Sequence, residues 1–278
     1  MILLRLQGGL GNQLFQYACG FSLARRRGDD LRFDLSHYRW FRDRRVELDD
    51  LGIMLPEVSA WRQWSSRAFP VGRIGSRLAR YQRRLLPAWA HPQRGDESGC
   101  TPEVLFREQR QTLLLDGYWQ DERFFASHAE SLLATIQLPT GPWKRAEGCQ
   151  AAIHVRRGDY VANPISAAIY GTLNAGYYRR ALDRLGTPRR VALVSDDPKW
   201  VLANWDLGVE LVDCSSASAA TDLALMAAAP ALVIANSTLS WWGARLGGGH
   251  RPVVAPARWL ADPNAVTVPS LPAHWCLV

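Results

Sequence analysis

Ala151-Ala152-Ile153-His154-Val155-Arg156-Arg157-Gly158-Asp159-Tyr160 is the stretch on which the reading of this chain turns. Its first half is a short apolar run of the kind buried in a parallel sheet. Its second half delivers two arginines and a carboxylate to one strand end, just after a histidine. Alternation sends neighbouring strand side chains to opposite faces, and a turn at Gly158 relaxes that constraint at the tip. At least one arginine can therefore face the crevice beyond the strand, where open α/β sheets bind their ligands. Guanidiniums are permanently charged and rich in fork-shaped donors, which suits a pyrophosphate. Taken alone, the stretch also fits a solvated strand end.

Working outward, the pattern alternates. Ala151–Val155, Val191–Ser195, Val209–Val212, Leu232–Ala235 and Val253–Ala255 read as short buried strands. Ala175–Leu185, Pro198–Trp205, Thr221–Ala228 and Leu239–Leu246 read as the helices between them. That is a doubly wound half built for a nucleotide. Upstream, strand Ile2–Leu6, a glycine loop, a helix over Asn12–Arg26 and strand Leu31–Asp34 repeat the plan. A strand over Thr112–Leu115 and a helix from Asp121 to Ile136 complete it, and Leu138-Pro139-Thr140-Gly141-Pro142 is a natural boundary. The expected domains are 1–140 and 141–278.

The 278 residues suffice for two cores, and 47% apolar with 21% charged residues is ordinary for a soluble globular protein. The N-terminus reads as a strand rather than a signal peptide, and the longest apolar run, Ala224 to Ala235, is too short to cross a bilayer. The cysteines, Cys19, Cys100, Cys149, Cys214 and Cys276, show neither pairs nor metal spacing, so reduced thiols and a cytoplasmic location are expected. The net charge of +7 is uneven: no acidic residue lies between Glu57 and Asp96, where eight arginines fall among Trp61, Trp64 and Trp89. Such a patch raises nucleic-acid binding as an alternative function. No helix-turn-helix, zinc-finger or RNA-binding signature supports it, so no nucleic-acid partner is expected. Within the patch, Ile74, Leu78, Tyr81 and Leu85 recur at helical spacing among Arg73, Arg77, Arg80 and Arg84. An amphipathic basic helix over Arg73–Leu86 would either rest peripherally on an anionic membrane surface or pack on its own lobe.

Three further motifs accompany the arginine stretch. Gly8-Gly9-Leu10-Gly11-Asn12-Gln13-Leu14-Phe15-Gln16-Tyr17-Ala18 stands near the start, Ser195-Asp196-Asp197 in the middle, and Ala235-Asn236-Ser237-Thr238-Leu239-Ser240-Trp241-Trp242-Gly243-Ala244 near the end. In this order, from residue 8 to Trp259, the set resembles the bacterial α-1,2-fucosyltransferases of glycosyltransferase family 11. The resemblance implies a GT-B-type α/β fold, two Rossmann-like lobes facing across a nucleotide-sugar cleft, with the acceptor side in the first lobe and GDP-fucose in the second. It implies inverting transfer of L-fucose from GDP-β-L-fucose to the 2-hydroxyl of a terminal galactose, in assembly of a surface polysaccharide; a membrane-resting Arg73–Leu86 helix would bring the enzyme to a lipid-linked acceptor. A non-catalytic nucleotide- or glycan-binding relative is the alternative.

The resemblance also distributes roles. It gives His154 to the guanine, against a core histidine otherwise, and Arg156 and Arg157 to the diphosphate. Asp222 could accept from guanine N1 and N2, and Asp196 could bind the nucleotide, though both sit where helix caps are expected. Gly11 and Asn12 fit a backbone approach to the ligand, against a tight turn with Asn12 as cap when read without the resemblance. Asn236, Ser237, Thr238 and Ser240 open a helix and suit phosphate oxygens, while Trp241 and Trp242 are expected to pack the core. There is no Asp-x-Asp triad and no metal-ligand spacing, so no metal cofactor is expected and Arg157 would serve instead. Asp159 is the candidate base, or else it orients an arginine by an ion pair; Asp116 is the weaker alternative.

Overall fold

The computed structural model describes residues 1–40, 44–57, 92–94, 100–109, 111–261, 269 and 271–278. The basic segment expected to form the Arg73–Leu86 helix lies outside them. The chain forms two compact units, Met1–Ile136 and Gln137–Val278. No helix among the described residues is long and apolar enough to cross a membrane.

The first unit is a parallel sheet of β1 (Ile2–Arg5), β2 (Leu31–Asp34), β3 (Pro92–Arg94) and β4 (Leu113–Asp116), in the order β2-β1-β4-β3. The helix Leu10–Arg27 covers it and is buried on almost every face from Leu10 to Ala24, the pattern of a core helix. Gly20 lets it lie close: a Cβ there would meet Leu31 at 3.1 Å and Leu4 at 3.2 Å. Gly28, left-handed at φ 65°, and the run Arg25–Arg27 end the helix as its carbonyls and dipole require.

Two expectations change here. The helix begins at Leu10 with Gly9 as its cap, so Asn12 lies inside the first turn. The stretch from Asp121 to Ile136 is not one helix but two 3-10 turns, Glu122–Phe124 and Ala126–His128, and one short helix, Ala129–Leu133. Asp121 accepts the Arg123 amide and starts the first turn, and the consecutive Phe124 and Phe125 are both buried. The helical run is broken by the backbone, with Phe125 at φ −135° and His128 at φ −126°.

The second unit carries β5 (Ala151–Val155), β6 (Arg190–Ser195), β7 (Glu210–Asp213), β8 (Leu232–Val233), β9 (Val253–Ala255) and β10 (Cys276–Leu277) in one parallel sheet, ordered β10-β9-β8-β5-β6-β7. All five residues of β5 are buried, with Ile153 paired to Leu193 on one side and Val233 on the other. Trp241 and Trp242 are fully buried, packed edge-on at 5.2 Å.

Candidate active site at the switch point of the second sheet

β5 is the first strand of its unit. The chain then moves outward through β6 and β7 and returns to β8 on the opposite flank of β5. That is the doubly wound dinucleotide-binding order, whose ligand crevice opens at the carboxyl ends of the two strands where direction reverses. Here those ends carry Arg156–Tyr160 after β5 and Asn236–Thr238 after β8.

Gly158 does not make a turn; it begins a short helix, Gly158–Ala162, followed by Pro164–Tyr170 with Asn163 capping the latter through the amides of Ile165 and Ser166. The value of glycine at this position is space. A Cβ would lie 2.5 Å from Asp196 Oδ2, so the missing side chain is what lets that carboxylate approach.

The two arginines differ. Arg156 donates to Asp159 Oδ1 at 2.5 Å and pairs with Asp196 Oδ2 at 2.8 Å, with the Tyr160 ring 5.6 Å from its Cζ. Burial works against its charge, but Asp196 and Asp159 outweigh that and raise its pKa. Arg157 gives its backbone N–H to Asp196 Oδ1 at 2.9 Å and its Nε to Asp197 Oδ2 at 3.2 Å, and its guanidinium lies 3.2 Å over the Trp200 ring. Among the described residues its two terminal nitrogens receive no hydrogen-bond partner. Asp197 occupies the cap position of helix Pro198–Asn204 yet makes no capping bond, because its carboxylate is turned to Arg157.

Tyrosines bind the two strand ends together. Tyr160 donates to the Asn236 carbonyl at 3.1 Å and stacks on Tyr170 at 4.8 Å. Asn236, itself buried, donates to the carbonyls of Tyr170 and Trp259. Beneath them, Tyr178 donates to the His154 carbonyl and Tyr177 to that of Ile234. His154 is 4% exposed and its Nδ1 has no hydrogen-bond partner among the described residues. Burial chiefly, and Arg156 next, push its pKa down to about 3, so the ring is neutral near pH 7.

Asp222 lies in the first turn of helix Ala219–Ala228, but the cap is Ser218. The Asp222 carboxylate instead receives the Ser216 amide at 2.8 Å, and burial lifts its pKa to about 6. Ser237 caps the helix Thr238–Leu246 without a side-chain bond, and Thr238 is its first residue. Ser240 is fully buried and its hydroxyl turns back to the carbonyls of Ala235 and Ser237. The far ends of these two helices meet at Arg251. Its guanidinium donates to the carbonyls of Met226, Ala227, Ala229, Gly243 and Ala244, and burial lowers its pKa to about 10.

In the first unit, the amide of Leu10 at the start of the long helix donates to Glu47 Oε2 at 3.0 Å. A carboxylate of the chain itself thus occupies the position where an anion could bind, and burial raises its pKa. Gly11 follows directly, and Asn12 accepts from Gln120 at 3.0 Å. Gly8, at φ 78°, gives its carbonyl to both Gln13 and Tyr38. Asp116 pairs with Arg5 at 2.9 Å, and Arg5 also holds Asp34 at 3.0 Å.

Sequence reasoning missed Glu47, Tyr170 and Trp200, and quoted Asp197 within its motif without giving it a role toward Arg157. Only Asp197 and Trp200 carried a signal, lying within five residues of Ser195-Asp196; Glu47 is brought to the glycine loop by the fold alone.

Two Rossmann-like units, each on a parallel sheet, define the GT-B class of α/β proteins. The chain belongs to glycosyl transferase family 11, whose model matches residues 95–272. It is similar to an alpha-1,2-colitosyltransferase of Escherichia coli, 28% identical across 99% of this chain and 98% of that one. It is equally similar, at 28% identity over 93% and 95%, to the O-antigen biosynthesis glycosyltransferase WbnK of Escherichia coli. Among solved structures, the fucosyltransferase NodZ from Bradyrhizobium shares the fold, with a TM-score of 0.53 and 15% identity over 88% of this chain and 91% of the other.

Proposed function

We propose that this glycosyltransferase moves L-fucose from GDP-β-L-fucose to the 2-hydroxyl of a terminal galactose, with inversion and without a metal, during assembly of a surface polysaccharide. The observation that carries the reading is Arg157: a fixed guanidinium at the switch point with its terminal nitrogens unspent within the described residues. A departing diphosphate needs its charge met, and a preorganised arginine does that without reorganisation. The α-1,2 linkage named for one relative and the O-antigen role named for the other support the linkage and the acceptor class. His154, Asp222, Asn236, Ser237 and Thr238 would line the nucleotide, with Asp222 accepting from guanine. Gly11 and Asn12, in the glycine loop, would bind the nucleotide sugar. Ser240 would act indirectly, by holding the turn that presents Ser237.

Asp159 is proposed as the base for the acceptor hydroxyl, working from its place beside Arg156. Asp159→Asn should then lower turnover about 10²-fold or more while GDP affinity stays within a few-fold. An equal loss in GDP affinity would reduce its role to orienting Arg156.

A second reading has its own support: transfer of colitose rather than fucose, from the name of the first relative. Purified protein with GDP-fucose and lactose, with and without EDTA, separates these by mass spectrometry. EDTA-resistant 2'-fucosyllactose is the expected product. GDP-fucose left intact beside turnover of a colitosyl donor would move the assignment to colitose.

A further inference from the structure

We infer that Trp200 is the positioning residue for Arg157, so that ring and guanidinium form one diphosphate-binding unit; the inference rests on the nucleotide-sugar reading above. The indole lies 3.2 Å beneath the guanidinium carbon. Arginine is planar and weakly hydrated, and it stacks on aromatic faces where a lysine ammonium would keep its water. Trp200 is itself fixed, edge-on to Trp205 at 5.8 Å and packed against the buried cluster of the second unit.

Three restraints therefore meet on one side chain. The face is covered by Trp200, the Nε edge is held by Asp197, and the backbone is anchored by Asp196 Oδ1. What they leave over is the terminal edge, the fork that pairs bidentately with phosphate oxygens. The sequence supplies this economically: Asp196, Asp197 and Trp200 sit at the start of one helix, with Pro198 at its first position. Arg156, tied to two carboxylates, is the architectural partner; Trp200 makes Arg157 the binding one.

GDP affinity measured by calorimetry on the full chain tests this as a double-mutant cycle of Trp200→Leu and Arg157→Ala. Trp200→Leu should weaken GDP about ten-fold in the wild-type background. In the Arg157→Ala background the same change should cost less than about two-fold, because the two residues act as one. Trp200→Phe, which restores an aromatic face, should recover most of the affinity, and Trp200→Met, which does not, carries the same cycle should the leucine variant melt below the assay temperature. Equal weakening in both backgrounds would make Trp200 a packing residue and overturn the inference, as would unchanged GDP affinity in Trp200→Leu. Wild-type protein that fails to bind GDP would sink the nucleotide reading itself and this inference with it, an outcome distinct from additivity in a protein that binds.

Discussion

Each unit places an arginine at the carboxyl end of a central parallel strand and sets it between two aspartates, but the two arrangements are finished differently. In the first unit Arg5 ends β1 and reaches Asp34 at the end of β2 and Asp116 at the end of β4. Asp34 is fully buried and also accepts the Ser36 amide. In the second unit Arg156 follows β5 and reaches Asp159 and Asp196, whose carboxylates are 42% and 25% exposed. There a second arginine is added, stacked on an indole. The shared bridge is a way to tie strand ends of a parallel sheet. On the proposed reading, capacity for an anion comes from the addition, Arg157, set beside carboxylates more exposed than Asp34.

That contrast predicts opposite phenotypes. The largest effect belongs to Arg5→Met, which removes the guanidinium beside a buried carboxylate and should cost about 3–5 kcal/mol of stability. Chemical denaturation reads the loss, and GDP affinity of the folded fraction should stay within a few-fold. Next, Arg157→Ala should leave the melting temperature nearly unchanged while turnover falls about 10²- to 10³-fold; activity within a few-fold of wild type would erase the distinction between the units. Gly158→Ala comes third. Its methyl would push Asp196 away from both arginines, and a strain of about 1–3 kcal/mol should appear as weaker GDP binding and a lower melting temperature together.

The smallest effect sharpens the comparison through pH. Asp222, raised to about 6, favours its protonated form in the fold, so its contribution to stability is present below the ordinary carboxylate range and lost as pH rises through 6. Guanine donors would require the ionised form. GDP affinity should then fall as pH drops below about 6, by up to ten-fold per unit for one titrating group. Asp222→Asn should flatten that slope, as titration calorimetry between pH 5 and 7.5 would record.

The sheet of the second unit is legible in sequence because parallel strands buried on both faces are short, continuous and apolar, and helices of regular spacing separate them. The first unit is harder to read where non-helical backbone angles interrupt an otherwise helical pattern, as at Phe125 and His128. In the candidate site, residues carried by the quoted motifs, from Arg156 to Asp159 and from Asn236 to Thr238, are brought to neighbouring strand ends. Glu47 and Tyr170 show no pattern of their own; their positions exist only once tertiary packing has delivered them. Asn12 illustrates a local ambiguity, since a cap residue and a first-turn residue three places on look alike until backbone angles are fixed.

Arg251 has a consequence for how the proposed nucleotide crevice could be altered. By gathering five carbonyls from the trailing ends of Ala219–Ala228 and Thr238–Leu246, it yokes the helix that begins near Asp222 to the one that begins beside Asn236. The two helices are thereby tied to each other at the ends opposite Asp222 and Asn236. A substitution that displaces one leading end is therefore expected to displace the other, so that the proposed base end and phosphate end of the crevice would be altered together.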